Sequence, residues 1–245
     1  DYYASRGLGD VYKRQVIYGT NRTQKSTTYH IAKSFLNKLS DNDKVNEFFL
    51  PKDMNQFCLG CFQCFNGNHE KCPAYNMINP IRDSMNKSDL IIFTAPVYVY
   101  HAPGQVKAFL DHFGWEWCVH QPNGKMFSKQ VLIISTAAGA GMKSTVKDIK
   151  DSMDFWGVAK VYNLKAVVSA ANWDTVNDKI RKKLDTKINK LSNKIKKRAS
   201  HVTPRIKVKL IFYGCRLMHK YLAINEPDVK HWKEHGWLDN KRPWK

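Results

Sequence analysis

The segment Leu90-Ile91-Ile92-Phe93-Thr94-Ala95-Pro96-Val97-Tyr98 decides the fold. Its first four residues are apolar without alternation, the mark of a strand buried on both faces, and Pro96 ends it where backbone amides and an aromatic ring follow. Val131-Leu132-Ile133-Ile134 repeats the pattern downstream. Stripes at helical spacing lie between and beside these runs: Ile31, Phe35 and Leu39, then Val106, Phe109, Leu110 and Phe113, then Val146, Ile149, Met153 and Trp156. Val16-Ile17-Tyr18, Val45 to Leu50 and Val161 to Val168 supply three further strands. Five apolar strands alternating with helices predict an α/β fold with a doubly wound parallel sheet, in which ligands sit at the carboxyl ends of the strands.

The loops after the first, third and fourth strands therefore matter most. Gly19-Thr20-Asn21-Arg22-Thr23-Gln24-Lys25-Ser26-Thr27 offers hydroxyls, one guanidinium and the unpaired N–H groups of a helix start, the components of a phosphate site. The competing reading is that Ser26 and Thr27 only cap a helix. The loop lacks the Gly-Lys-Ser/Thr of a Walker motif and the three-glycine dinucleotide fingerprint. Pro96, Val97 and Tyr98 can form a wall for a flat ring or pack beside the strand end. Thr136-Ala137-Ala138-Gly139-Ala140-Gly141 lets a ligand approach the backbone or simply makes a tight turn.

Taken together, Gly19-Thr20-x-Arg22 with Ser26-Thr27, Ser88-Asp89-Leu90 through Ala95-Pro96-Val97-Tyr98, and Gly104-Gln105-Val106-Lys107-Ala108-Phe109-Leu110-Asp111 resemble the NADPH-dependent FMN reductase family over about residues 16 to 170. The resemblance implies a flavodoxin-like five-stranded sheet that binds FMN at its topological switch point. It further implies that Thr20, Arg22, Ser26 and Thr27 hold the FMN phosphate, that Pro96, Val97 and Tyr98 line the isoalloxazine, and that the Ala138-Gly139 backbone flanks its far side. A nicotinamide nucleotide, NADH or NADPH, is the implied donor, a quinone, flavin or small electrophile the implied acceptor, and a homodimer the implied assembly. No catalytic acid or base is required, because the flavin carries the chemistry.

Cys58-x2-Cys61-x2-Cys64-x7-Cys72-Pro73 brings four of the six cysteines into fifteen residues. Three thiolates three residues apart, with a fourth returning from a short loop, suit a [4Fe-4S] cluster, and the spacing resembles that of iron-sulfur flavoproteins. Four thiolates also suit tetrahedral zinc, and a third reading is a loop that holds no metal. Crowded cysteines fit a reducing, cytoplasmic compartment better than a disulfide framework. Cys118 and Cys215 stand apart and read as small buried hydrophobes. No His pair sits in an HxxxH or HExxH pattern, which leaves a metal hydrolase without support.

The net charge of +19 is concentrated in residues 172 to 245, which hold 20 Lys/Arg against 7 Asp/Glu. Such a field attracts acidic partners, a ferredoxin among them, without specifying nucleic acid. No apolar run approaches the roughly 18 residues of a membrane span. Val176, Ile180, Leu184, Ile188, Leu191 and Ile195 recur three or four apart, giving an amphipathic helix that either covers the sheet or meets a partner or membrane surface. From Arg205 to Lys245 the chain is basic and aromatic without a clear period. The expected organisation is a non-native leader over 1–15, in which Asp10 to Gln15 resembles a translated sequencing adapter, an FMN-binding domain over 16–171, and a basic helical extension over 172–245. Beside the oxidoreductase stand two alternatives, an iron-sulfur electron carrier and a basic binding module without turnover.

Overall fold

A computed structural model of the chain describes residues 13–39, 44–168, 172–199, 202–222 and 224–245. Most of the expected leader and the residues just before the boundary at 171 and 172 lie outside these. Five parallel strands form one sheet in the order β2-β1-β3-β4-β5: β1 Arg14–Tyr18, β2 Val45–Phe49, β3 Leu90–Thr94, β4 Gln130–Ala137 and β5 Lys160–Val167. This is the flavodoxin-like doubly wound order, with its switch point between β1 and β3. Val16, Ile92 and Leu132 stand side by side across the three central strands.

The apolar stripes cover both faces. α2 (Tyr75–Lys87), α3 (Gly104–Asp111) and α4 (Met142–Phe155) pack one face through Ile81, Phe109 and Ile149. α1 (Thr27–Asn37) and α5 (Asp178–Lys196) pack the other through Ile31, Phe35, Leu184 and Ile188. The lysine-rich helix thus covers the sheet, its leucines and isoleucines inward and its lysines in solvent.

Two features depart from the sequence reading. Arg14 and Gln15, set aside with the leader, are buried residues of β1 in register with both β2 and β3. The stretch after Arg205, which shows no period, folds as α6 (Ile206–Tyr221) and α7 (Glu226–Glu234). Its period is hidden because α6 is apolar on two opposite faces, so no single stripe stands out. The inner face contributes Val208, Phe212 and Cys215 to a satellite core with Phe127, Trp232 and Trp237. There Cys118 and Cys215, expected to stand apart, share a thiol hydrogen bond; that bond and burial hold the Cys118 thiol well above its usual range.

Candidate functional site

The carboxyl ends of β1, β3, β4 and β5 enclose a cavity of about 160 Å³. Thr20, Arg22, Ser26 and Thr27 line it from the first loop, Pro96, Val97 and Tyr98 from the third-strand loop, and Ala138 from the fourth. These are eight of the nine residues expected to contact the cofactor. Gly139 lies outside the lining, in open space where an added Cβ would meet nothing within 4 Å. Thr28, Thr136, Ala137 and Val168 also line the cavity and were not singled out from the sequence. Val168 had a signal available, since it directly follows β5 at the same edge as the other loops.

The first loop is held close by its glycine. The Gly19 N–H donates to the Thr94 carbonyl at 2.8 Å, and a Cβ at Gly19 would lie 2.3 Å from Val106 Cγ2 and 2.5 Å from Thr94 O. Only glycine allows that approach. Gln105 Nε2 donates to the Gly19 carbonyl at 3.0 Å, tying α3 to the same loop. Ser26 is the N-cap of α1, its hydroxyl accepting from the Tyr29 N–H at 3.2 Å, so the capping role read from the sequence is present. That cap leaves the hydroxyls of Thr20 and Thr27, with the positive end of the helix, on the cavity wall. The Arg22 guanidinium donates to Asn172 Oδ1 at 2.7 Å, which fixes it beside the cavity.

The third-strand loop is a strained turn. Tyr98 and His101 exchange two backbone hydrogen bonds of 3.0 Å, and Val99 and Tyr100 between them have φ of 46° and 67°. Two-residue turns of this kind ordinarily use Asn and Gly; a branched and an aromatic residue there cost of order 1–3 kcal/mol each. The turn is secured from α4, where Asp148 Oδ2 accepts from the Ala102 N–H and pairs with His101 Nδ1, both at 3.0 Å. Gly141 locks it from the other side: its φ is 92°, and a Cβ there would lie 2.6 Å from Val97 Cγ1 and 2.9 Å from Tyr100 Cα. The fourth loop's constrained glycine is therefore Gly141. The turn aims the Tyr98 hydroxyl across the cavity, 2.9 Å from Thr20 Oγ1.

Among the described residues no carboxylate lines this cavity, whereas Arg22, several hydroxyls and a helix N-terminus do. That donor set fits a phosphate monoester. Beside it, Pro96, Val97 and the half-exposed Tyr98 form an open edge.

The sequence model for NADPH-dependent FMN reductases matches residues 13–174. This chain belongs to that family. Among its relatives, it is 25% identical over 183 residues to the iron-sulfur flavoprotein CD630_04720 of Clostridioides difficile, covering 73% of this chain and 76% of the relative. It is 26% identical over 171 residues to an FMN-dependent NADH:quinone oxidoreductase of Pelagibacter ubique, covering 62% and 88%. Among solved structures, an azoreductase of Bacillus anthracis superposes with a TM-score of 0.59 at 16% identity, covering 75% of this chain and all of that one. The last likeness bears on the fold alone.

This family member carries its cysteine loop elsewhere on the surface, over α2 and α3. Cys58, Cys61, Cys64 and Cys72 all line a separate cavity of about 670 Å³, walled by aromatic side chains such as Phe57, Phe65 and Trp115. The loop is anchored by His112 Nε2 against the Gln56 carbonyl and by Gln121 Nε2 donating to the Phe65 carbonyl, each at 3.0 Å. Cys58 and Cys61 are exposed, and burial pushes the Cys64 thiol up to about 11. Among the described residues no three His, Cys, Asp or Glu converge closely enough to hold a metal ion. The four thiols share one cavity and stand around its walls without converging on one point.

Proposed function

We propose that this FMN reductase family member binds FMN at the carboxyl end of its sheet, accepts electrons from NADH or NADPH, and passes them to a quinone or another small electrophile. The observation that carries this reading is the convergence of eight expected residues from three separate loops on one phosphate-sized cavity bounded by a strained, doubly anchored turn. Its family membership and the name of its Pelagibacter ubique relative support the same reading.

FMN held there would supply the two-electron redox chemistry. The protein's share is placement. Thr20, Thr27 and Arg22 hold the phosphate, with the first turn of α1 adding N–H donors and positive potential. Pro96 and Val97 give the ring an apolar floor, and Tyr98, fixed by the turn, closes the gap to Thr20. Among the described residues the lining holds no carboxylate that would repel the phosphate of either the cofactor or the nucleotide donor.

The test is to strip and rebind FMN, then follow anaerobic NADH and NADPH oxidation with a soluble quinone. Stoichiometric rebinding with quinone-dependent turnover is expected; protein that neither retains nor rebinds FMN would sink the proposal. A second reading, an iron-sulfur electron carrier, is favoured by the shared cavity of the four cysteines and by the name of the Clostridioides difficile relative. Matching iron and acid-labile sulfide in anaerobically purified protein would establish it.

A further inference from the structure

Helix α6 has a second apolar face that the described structure leaves largely uncovered, touched at Tyr213 by Arg242 and Trp244 near the chain's end. Its inner side packs Val208, Phe212, Cys215 and His219 into the satellite core. Directly opposite, Ile206, Leu210, Tyr213, Leu217 and Tyr221 recur four, three, four and four residues apart, and Leu222 and Ile224, just past the helix end, are exposed as well. Leu210 is 66% exposed and Tyr221 72%. Half of the large exposed apolar side chains among the described residues fall in this one segment. The sixteen residues of α6 extend the stripe over about 22 Å.

The stripe is edged by cations. Lys209 and Lys220 stand on one flank and Lys207 on the other, at the helical angles where long side chains extend past an apolar face. Lys207 also pairs with Asp154, and Arg216 is tied to the carbonyls of Trp237 and Leu238. From residue 186 to residue 225 the chain carries eleven Lys or Arg and no Asp or Glu. α6 is held to the far end of α4 by Arg205 and Lys207 on Asp154, whereas the cleft lies at that helix's beginning.

We propose that α6 is an interfacial anchor that lays its outer stripe into the headgroup layer of an anionic phospholipid bilayer. Such a surface supplies both things the helix face lacks, an apolar medium for the leucines and phosphates for the lysines. A second copy of this chain supplies only the first: at +19 each, two copies would bring basic rim against basic rim. Docking through α6 leaves the cleft open to solvent, and the inference does not rest on the redox reading. No helix among the described residues is long and apolar enough to cross a membrane, so the contact is one of lying on the surface.

The experiment is co-sedimentation of the full chain with vesicles of phosphatidylcholine alone and of phosphatidylcholine with phosphatidylglycerol. The wild type is expected to bind the anionic vesicles, with affinity falling as salt rises, and to leave the neutral ones largely free. Leu210→Ser with Leu217→Ser keeps every charge and is expected to weaken anionic binding about tenfold or more, with circular dichroism and flavin content unchanged. Lys209→Gln with Lys220→Gln is expected to weaken it and flatten its salt dependence. The proposal is overturned if the wild type ignores anionic vesicles, or if the serine pair binds as well as wild type, which would reduce the effect to general charge. It is equally overturned if sedimentation velocity shows a dimer that the serine pair dissociates while vesicles remain unbound.

Discussion

The cleft at the sheet's carboxyl end and the cavity under the cysteine loop differ fourfold in volume, about 160 against about 670 Å³, and it is the smaller one that gathers the residues expected to hold a phosphate. The small cleft is polar, free of carboxylates among its described lining, and clamped by Gly19, Gly141 and Asp148. The large cavity is aromatic, and its four thiols stand around the walls without converging. Space under a loop forms wherever bulky side chains hold the loop off the domain. A binding site needs polar groups aimed at one point by backbone that cannot relax.

The largest effect that tests this contrast is in the cavity. Burial holds the Cys64 thiol up to about 11, so its alkylation rate should climb about tenfold per pH unit, roughly a thousandfold between pH 7 and 10, as the thiolate fraction grows. Exposed Cys58 and Cys61 should label first. Peptide mapping by mass spectrometry reads the order. Cys64 labelling as fast as Cys58 at neutral pH would show that the loop does not close over it.

In the cleft, the two glycines of the fourth loop should separate. Gly141→Ala forces a Cβ against Val97 and Tyr100 at a φ of 92° and should cost about 2–3 kcal/mol by urea unfolding, with weakened FMN binding. Gly139→Ala meets open space and should stay within about 0.5 kcal/mol. Equal losses at both positions would remove the argument that the turn is clamped. Next in size is Arg22→Ala, which deletes a charged donor from the cavity wall and, on the proposed phosphate site, should raise the FMN dissociation constant about ten- to a hundredfold. An unchanged constant would leave the phosphate to the helix and its hydroxyls.

The two regions were unequally legible in the sequence for the same physical reason. Leu90 to Phe93 and Val131 to Ile134 are buried on both faces, so composition alone gives parallel strands, and strand order then places the loops at one edge. Thr20 and Arg22 could be named because an anion site asks for few residue types at the start of a helix, and Tyr98 because it follows the proline that stops the third strand. The turn strain at Val99 and Tyr100 could not, since neither residue favours a positive φ and only the grip of Asp148 and Gly141 keeps it. α6 was hidden because its two apolar faces cancel in any periodic reading. Cys118 and Cys215, ninety-seven residues apart in the chain, meet only through the packing of that helix.

The smallest expected effect discriminates best between the two regions. Replacing Cys58, Cys61, Cys64 and Cys72 together by serine should leave FMN affinity and NAD(P)H oxidation within about twofold, because no lining residue of the cleft belongs to the cysteine loop and the clamps on the cleft come from α3 and α4. Iron and sulfide are measured on the same preparations. If wild type and variant both lack iron and turn over alike, the loop is a surface feature and the cleft works alone. If the wild type carries iron and the variant loses it while keeping flavin, the thiols converge around a cluster only once it is supplied, and the cavity's spare volume is the room in which they do so. If the variant loses flavin without iron ever being present, the loop supports the sheet edge through packing, and the independence of the two regions fails.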